Sequence, residues 1–251
     1  VERTRRVVRF TELGNQMVEK AYRILREAEE LSEMARSAGK PLAGDIRMSV
    51  IPTIAPFLLP RLLPQLRKER PELKLYLKEE TSQAACDSLH HGHADCVLLA
   101  QPFPCGDVEA EVLFSDEILV AFPKNDPRDP PLEVDPAQID ETHLKDHALA
   151  ACNRPELRAS ARMMGTSLHT LVQMVDNGLG LTLLPKMAID SGILNYTDIV
   201  ARPLKSDRAT RDIALVWRKN SPRRGEFQLL AEIMKGAQNW VSKAHSPDAT
   251  A

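Results

Sequence analysis

The sequence has few cysteines, no excess of either charge and no long apolar run. Its 4 cysteines in 251 residues are too few and too irregularly spaced for a secreted disulfide scaffold, so we interpret them as reduced thiols. The 33 basic and 35 acidic residues give a net charge of −2, which excludes a bulk electrostatic attraction to nucleic acid or membranes. No stretch approaches about 18 consecutive apolar residues, and VERTRRVVRF lacks the apolar core of a signal peptide. We therefore expect no membrane span and a cytoplasmic location.

The motifs of common enzyme classes are also absent. The sequence contains no G-x-G-x-x-G, no P-loop, no H-E-x-x-H, no C-x-x-C and no G-x-S-x-G. The residue types of a metal site do occur together, but a helix end followed by a glycine turn explains these histidines as solvated side chains; the group is Cys86, His90, His91, His93 and Cys96. Cys96 itself lies in the apolar strand ADCVLLA, where a thiol behaves as a small core residue. We therefore predict that the chain is not an enzyme and holds neither a cofactor nor a metal.

The first 39 residues differ in pattern from the rest. Residues 1–13 interleave Arg3, Arg5 and Arg6 with apolar residues, an alternation typical of a short basic β-hairpin. From 14 to 39, apolar residues recur every three or four positions, which predicts a long amphipathic helix. Its apolar stripe is as narrow as that of a coiled coil and favours a dimerisation helix. The alternative is a helix that packs on its own domain.

From residue 44 onward, strand-like and helix-like patterns alternate, as in an α/β fold with mainly parallel strands. We predict strands at 46–51, 73–78, 95–100, 108–114, 117–122, 181–184, 199–203 and 213–218, and helices at 57–70, 82–91, 167–177 and 226–243. A loop rich in Pro and Asp, 124–136, marks a crossing into a second lobe at about 123–204, from which the last helix returns to the first lobe. The sequence therefore predicts a two-lobed domain over 44–245 with a ligand-binding cleft between the lobes.

Three segments resemble LysR-type transcription regulators. The run MMGTSLHTLVQMVDNGLGLTLLPKMAI (163–189) is similar to a hallmark of their effector domain, and DIRMSVIPTIAPFLLPRLLPQLRKERPELKLYLKEE (45–80) resembles its opening. ERTRRVVRFTELG (2–14) looks like the wing of the family's winged helix-turn-helix. The resemblance implies an effector domain with the fold of periplasmic binding proteins, preceded by a linker helix at 14–39 and a wing fragment at 1–13.

The same resemblance implies partners. Promoter DNA would be read by a helix-turn-helix that the chain does not contain and that we expect before Val1, while Arg3, Arg5 and Arg6 of the wing contact phosphates. Family members form dimers through the linker helix and tetramers through the effector domains, and RNA polymerase is a further expected partner. These expectations come from the resemblance and not from the spacing of residues.

Within the family, LKDHALAAC (144–152) resembles the redox segment of the OxyR group, whose members sense hydrogen peroxide. In that group a peroxidatic cysteine precedes a resolving cysteine by nine residues, and Cys152 matches the resolving one. The resemblance places the peroxidatic cysteine between His143 and Leu144, where the sequence has none. We interpret this as a gap in the sequence. Several residues after Thr142, and one cysteine after His143, would belong to the protein but are absent from the sequence. A natural variant that has lost the thiol is the alternative.

The resemblance also implies ligand-binding residues. Thr53 and Thr81 correspond to threonines that hold peroxide in the OxyR group, and hydroxyls suit a small polar oxidant because they both donate and accept hydrogen bonds. His143, Asp146 and Arg211 match further positions around the reactive thiolate. On physical grounds alone, the threonines are equally well explained as helix caps and Arg211 as a solvated surface residue.

The expected function is a thiol–disulfide switch. Oxidation would join the peroxidatic cysteine to Cys152, change the packing of effector domains and alter the expression of antioxidant genes, and a cellular dithiol reductant would reset the switch. One alternative is a LysR-type regulator that senses a small metabolite in the cleft and needs no redox cysteine. A periplasmic solute-binding protein shares the two-lobe plan, but the basic N-terminal segment and the absence of a signal peptide argue against it.

Overall fold

The computed structural model describes residues 2–3, 8–9, 11–37, 41–126, 132–135, 167–206 and 209–243. Its strands are β1 Glu2–Arg3, β2 Val8–Arg9, β3 Gly44–Val50, β4 Leu73–Glu79, β5 Cys96–Gln101, β6 Val108–Pro123, β7 Thr182–Pro185, β8 Ile199–Pro203 and β9 Thr210–Arg218. Its helices are α1 Glu12–Ser37, α2 Ala55–Glu69, α3 Ser82–His90, α4 Leu168–Asp176, α5 Lys186–Asp190 and α6 Arg224–Lys243. The predicted α/β class is confirmed.

The strands from β3 onward form one sheet of seven, in the order β4-β3-β5-β9-β6-β7, with β8 also paired to β6. β3 pairs in parallel with β4 and β5, whereas β9 with β5 and β6, and β6 with β7 and β8, pair antiparallel. The prediction of mainly parallel strands is therefore wrong. One reason is β9, whose segment Ile213–Trp217 is buried on both faces and so has the unbroken apolar run of a parallel strand.

A single strand, β6, replaces the two strands predicted at 108–114 and 117–122. Its first part pairs with β9 from Val108 to Glu117, and its second part pairs with β7 and β8 from Ile118 to Pro123. The predicted break fell at Ser115 and Asp116, whose polar side chains interrupt the apolar pattern, although the strand continues through both residues. A register shift lies earlier, between Val112 and Phe114. The strand thus runs from one lobe into the other. The lobe limit predicted at about 123–204 stays a prediction.

The last helix, α6, packs on β6, β9 and α2, and so returns to the first lobe as predicted. Its Phe227 ring lies 5.7 Å from the Trp217 ring of β9, and both side chains are fully buried. Lys235 Nζ donates to Glu111 Oε1 of β6 at 2.6 Å, and this hydrogen bond links α6 to the sheet outside the core. These contacts close the core around the strands that carry the site described below.

The N-terminal elements also match the sequence pattern. β1 and β2 pair antiparallel as a short hairpin, and Thr11 Oγ1 accepts a hydrogen bond from the Gly14 amide at the start of α1. The apolar stripe of α1 is more than 60% exposed, as shown by Leu13, Met17, Ile24, Leu25 and Leu31. Such a stripe is what a dimerisation helix presents, although pairing itself stays a prediction. Among the described helices, none combines the length and apolar character needed to cross a bilayer.

Candidate functional site

A buried polar cluster lies where the two parts of β6 meet. Its centre is Arg211 of β9, which is 2% exposed. The guanidinium donates to Asp116 Oδ2 of β6 from Nε at 3.1 Å and from Nη2 at 2.9 Å. It also donates from Nη1 to Thr53 Oγ1 at 2.8 Å and from Nη2 to the Thr53 carbonyl at 3.2 Å. The interpretation of Arg211 as a solvated surface residue is therefore wrong.

Three parts of the fold supply this cluster. Thr53 lies in the turn between β3 and α2, which the Ile54 and Ala55 amides close by donating to the Ile51 carbonyl. Met187 lies in the first turn of α5, where its amide donates to Asp116 Oδ1 at 2.9 Å and its sulfur lies 3.6 Å from Arg211 Nη2. Arg211 thus joins the first lobe, the strands that cross between lobes and the second lobe.

The lobes make two further contacts beside the cluster. The Phe57 ring of α2 stacks on the His169 ring of α4, with 6.1 Å between centroids. Arg61 Nη2 of α2 donates to the Asp190 carbonyl of α5 at 3.3 Å. α2 therefore contacts both α4 and α5 directly.

Burial and hydrogen bonding act on Asp116 and Thr53 in different ways. Burial raises the pKa of Asp116 above its usual value, and the Arg211 charge and the Met187 amide offset part of this effect. Because Arg211 occupies a lone pair of Thr53 Oγ1, the hydroxyl proton points away from Arg211 and can be donated to a bound molecule. Thr53, 8% exposed, is thus an oriented hydrogen-bond donor.

Thr81 occupies a different environment at the same edge of the sheet. β3 and β4 are in register up to Val50 and Glu79, and the Glu80 amide donates to the Val50 carbonyl, so both threonines follow neighbouring strand ends. The Thr81 side chain accepts from the Ala84 amide at 3.4 Å and is the N-cap of α3, as the capping interpretation predicts. α2, in contrast, begins after Ile54 with no side-chain cap, so Thr53 is not a capping residue.

The other predicted site residues lie wholly or partly outside the part of the chain that the structure describes. The structure describes only the backbone of Arg3, in β1. The position between His143 and Leu144 also lies outside the described ranges, as do Arg5, Arg6, His143, Asp146 and Cys152. The ligand-binding roles of Thr53, Thr81 and Arg211 stay predictions, although two of these residues contact each other directly.

Sequence reasoning missed Asp116 and a second carboxylate, Glu80. Asp116 interrupts the apolar run of β6, and a charge in the middle of a buried strand was the available signal. Glu80 accepts from Ser49 Oγ at 2.6 Å, from Ser88 Oγ at 3.2 Å and from Lys78 Nζ at 2.5 Å. Burial works to raise the pKa of Glu80, but the hydrogen bonds from Lys78, Ser49 and Ser88 outweigh it and hold the pKa below its usual value.

The depressed pKa of Glu80 predicts a pH-dependent contribution to stability. A carboxylate whose pKa is lower in the folded chain stabilises fully above its unfolded pKa of about 4.3, and loses this contribution as the pH falls through the folded value. We expect the difference in unfolding free energy between wild type and Glu80→Gln to shrink between about pH 7 and pH 3.5. Urea unfolding at several pH values measures it, with exposed Glu79→Gln as the matched control. A difference that stays constant with pH would contradict this expectation.

The described cysteines have two distinct states. Cys96 is a free, fully buried thiol in β5, and burial raises its pKa, as does nearby Asp95, so it is a core residue as predicted. Cys86 of α3 and Cys105 form a disulfide with 5.4 Å between Cα atoms. The expectation that the cysteines are reduced thiols is therefore wrong for this pair. The reason is topological, because the segment after β5 folds back onto α3.

Among the described residues, no three His, Cys, Asp or Glu side chains are grouped so that they could hold a metal ion. The site is thus built from hydroxyls, one guanidinium and carboxylates. Such groups can bind a small polar molecule by hydrogen bonds and orient it, provided that it reaches the space between the lobes.

Comparison with known proteins identifies the family. The model of the LysR substrate binding domain matches residues 39–239. The chain belongs to the LysR family. It is thus a LysR-type regulator with the two-lobe effector fold, and the periplasmic-binding-protein-like class predicted from the sequence is confirmed.

Individual relatives cover most of the chain. The HTH-type transcriptional regulator EstR of Acinetobacter baylyi is 35% identical over 243 residues, which are 94% of this chain and 81% of EstR. The hydrogen peroxide-inducible genes activator of Escherichia coli O6:H1 is 33% identical over 244 residues, or 94% of this chain and 80% of that protein. A full-length OxyR variant of Pseudomonas aeruginosa has a TM-score of 0.74 and 30% identity, covering 93% of this chain and 81% of that one. The regulator family is therefore established, whereas the inducing signal is a separate question.

Proposed function

We propose that this LysR-type regulator senses hydrogen peroxide through a thiol–disulfide switch in the segment 143–152 and controls antioxidant genes. The observation that carries the proposal is the segment LKDHALAAC (144–152), which resembles the OxyR redox segment in a chain that matches OxyR proteins along most of its length. The buried cluster supports it, because Arg211 orients the Thr53 hydroxyl as a donor for a small polar oxidant.

The chemistry requires a thiolate, because only the ionised sulfur attacks the O–O bond. The peroxidatic sulfur, placed by the proposal between His143 and Leu144, would take one peroxide oxygen and become a sulfenic acid while water leaves. Cys152 would then attack this sulfur and release a second water, so that two thiols and one peroxide give one disulfide and two waters. His143 and the positive charge of Lys145 would assist the ionisation, and Asp146 would orient the turn. A cellular dithiol returns both electrons and restores the thiols.

The regulatory output needs the rest of the protein. We propose that α1 pairs two chains through its exposed apolar stripe, and that effector domains assemble two dimers into a tetramer. The helix-turn-helix of a LysR-type regulator would read promoter DNA in the cytoplasm, with Arg3, Arg5 and Arg6 on phosphates. Disulfide formation would change the spacing of the DNA-binding heads and their contacts with RNA polymerase.

Thr53 tests the role of the cluster in the reaction. Thr53→Val keeps the side-chain shape but removes the hydroxyl, which is both the donor to peroxide and the acceptor of Arg211 Nη1. We expect the lost bond to peroxide, worth roughly 1–1.5 kcal/mol, to slow the peroxide-driven oxidation of Cys152 about tenfold. Thr53→Ser keeps the hydroxyl and should react at nearly the wild-type rate. The rate is measured by quenching the reaction at intervals and quantifying the Cys152 peptide by mass spectrometry. Equal rates for Thr53→Val and wild type would remove Thr53 from the mechanism.

A second candidate is a regulator that binds a small metabolite between the lobes. The 35% identity to EstR favours it, because that relative carries no peroxide-related name. The same cluster would then hold a polar group of the metabolite, and Cys152 would play no part. A wild-type protein in which peroxide does not oxidise Cys152, but which responds to a metabolite, would favour this candidate.

A further inference from the structure

Cys86 and Cys105 link two parts of the first lobe. Cys86 lies in the middle of α3 and is 2% exposed, and Cys105 lies in the segment 102–107 between β5 and β6 and is 4% exposed. Their bond is formed in the structure across 19 positions of the sequence. The pair is distinct from the segment 143–152 that the proposed function uses.

The segment 102–107 is a return crossover. β5 and β6 both run antiparallel to β9, with Gln101 and Ser115 opposite Asp212, and Cys96 and Glu109 opposite Trp217. The chain must therefore leave the end of β5 at the site edge and travel back along the sheet to the start of β6. Cys105 is the point at which this crossover is attached to α3.

A second attachment lies beside the disulfide. His90, in the last turn of α3, has its Nε2 2.6 Å from the Cys105 carbonyl, and because a carbonyl only accepts, this nitrogen carries the proton. The next residue, Gly106, has φ +75°, and a Cβ there would lie 2.8 Å from His90 Nε2. Glycine thus allows the crossover to approach the helix this closely.

α3 connects this pair with two functional parts of the molecule. Its first residue follows Thr81, the cap at the site edge. Beyond its last turn, the His93 ring meets the Tyr22 ring of α1 edge-on, with 5.5 Å between centroids and an interplanar angle of 83°. A shift of α3 would therefore reach both the site edge and the linker helix.

We propose that Cys86 and Cys105 form a second reversible thiol–disulfide couple, whose redox state sets how firmly α3, and through His93 the linker helix α1, is held. Cys105 is buried but its neighbours Pro104, Gly106 and Asp107 are exposed, so opening one surface segment uncovers both sulfurs. A hydroperoxide then oxidises one thiol to sulfenic acid and leaves as alcohol or water. The other thiol attacks this sulfur and releases water, and a dithiol reductant reverses the step.

The test uses the whole chain with Cys152→Ser, so that the segment 143–152 cannot form its own disulfide. Hydrogen–deuterium exchange is measured after reduction with dithiothreitol and after treatment with hydrogen peroxide, and peptide mapping identifies the disulfide. We expect oxidation to slow exchange in α3 and in 102–107 about tenfold, and to slow it in α1 around Tyr22 as well. Cys86→Ala and Cys105→Ala should each abolish both changes, whereas Cys96→Ala should leave them intact.

Three results would overturn the proposal. Thiols that stay reduced in peroxide would show that the pair is not a sensor. A disulfide that dithiothreitol cannot reduce in the folded protein would show a fixed cross-link. Exchange in α1 that is equally fast in the reduced and the oxidised protein would show that the redox state of the pair does not affect the linker helix. Each result is independent of Cys152, so failure of the proposed function and failure of this proposal can be told apart.

Discussion

Arg211→Ala is expected to lower the free energy of unfolding by about 3–5 kcal/mol, because it leaves the buried Asp116 carboxylate without its partner. Both side chains are almost fully enclosed, at 2% and 3% exposure, so water cannot replace the lost hydrogen bonds. The same change removes two donors to Thr53 and leaves a cavity. Urea unfolding of the purified variant and wild type measures the difference.

A surface pair is the matched control for this prediction. Lys219 Nζ lies 3.2 Å from Asp107 Oδ1, but the side chains are 53% and 80% exposed, so Lys219→Ala should cost about 1 kcal/mol or less. The double variant Arg211→Met with Asp116→Leu should recover part of the lost stability, since no unpaired charge remains. Equal effects of Arg211→Ala and Lys219→Ala would mean that the buried cluster does not hold the lobes together.

Cys152→Ser is expected to lower strongly the induction of target genes by hydrogen peroxide. Without the resolving sulfur the sulfenic acid cannot become a disulfide, and the segment cannot be held in its oxidised conformation. Coupling between a sensor site and its output in proteins amounts to about 1–3 kcal/mol, so we expect a loss of roughly 5- to 150-fold in peroxide-dependent expression. A reporter gene under a responsive promoter, in cells that carry the full-length regulator, measures it.

Cys96→Ser is the control for the loss of a thiol as such. Cys96 is fully buried in β5, where burial raises its pKa, so the thiol does not react. The variant should keep the peroxide response once its folding has been checked by urea unfolding. Full induction in Cys152→Ser would instead favour the metabolite-sensing candidate.

The local elements of the fold were predictable because they depend on neighbours in sequence. The three- and four-residue periodicity of α1 and the apolar run of β5 each produce one element in the structure. The pairing direction of β9 was not predictable, since a strand buried on both faces looks the same in parallel and antiparallel sheets. Strand direction therefore required the tertiary structure.

The site was predictable only in part. Thr53 and Arg211 came from the resemblance to the family, but their contact joins residues 158 positions apart. Arg211 and Asp116 are separated by 95 positions, and no local sequence pattern predicts an ion pair between residues so far apart. The disulfide escaped prediction for the same reason, because the spacing of Cys86 and Cys105 carries no information until the crossover folds back onto α3.

The proposed switch requires that peroxide oxidise a cysteine pair that includes Cys152. Intact and peptide mass spectrometry of the full-length protein, before and after one equivalent of hydrogen peroxide, tests it by mapping the segment between Thr142 and Cys152. We expect an additional cysteine after His143 and, after peroxide, a disulfide from it to Cys152 with a mass loss of two hydrogens. An intact mass that leaves no room for that cysteine, with Cys152 unchanged by peroxide, would show that the protein has no such switch.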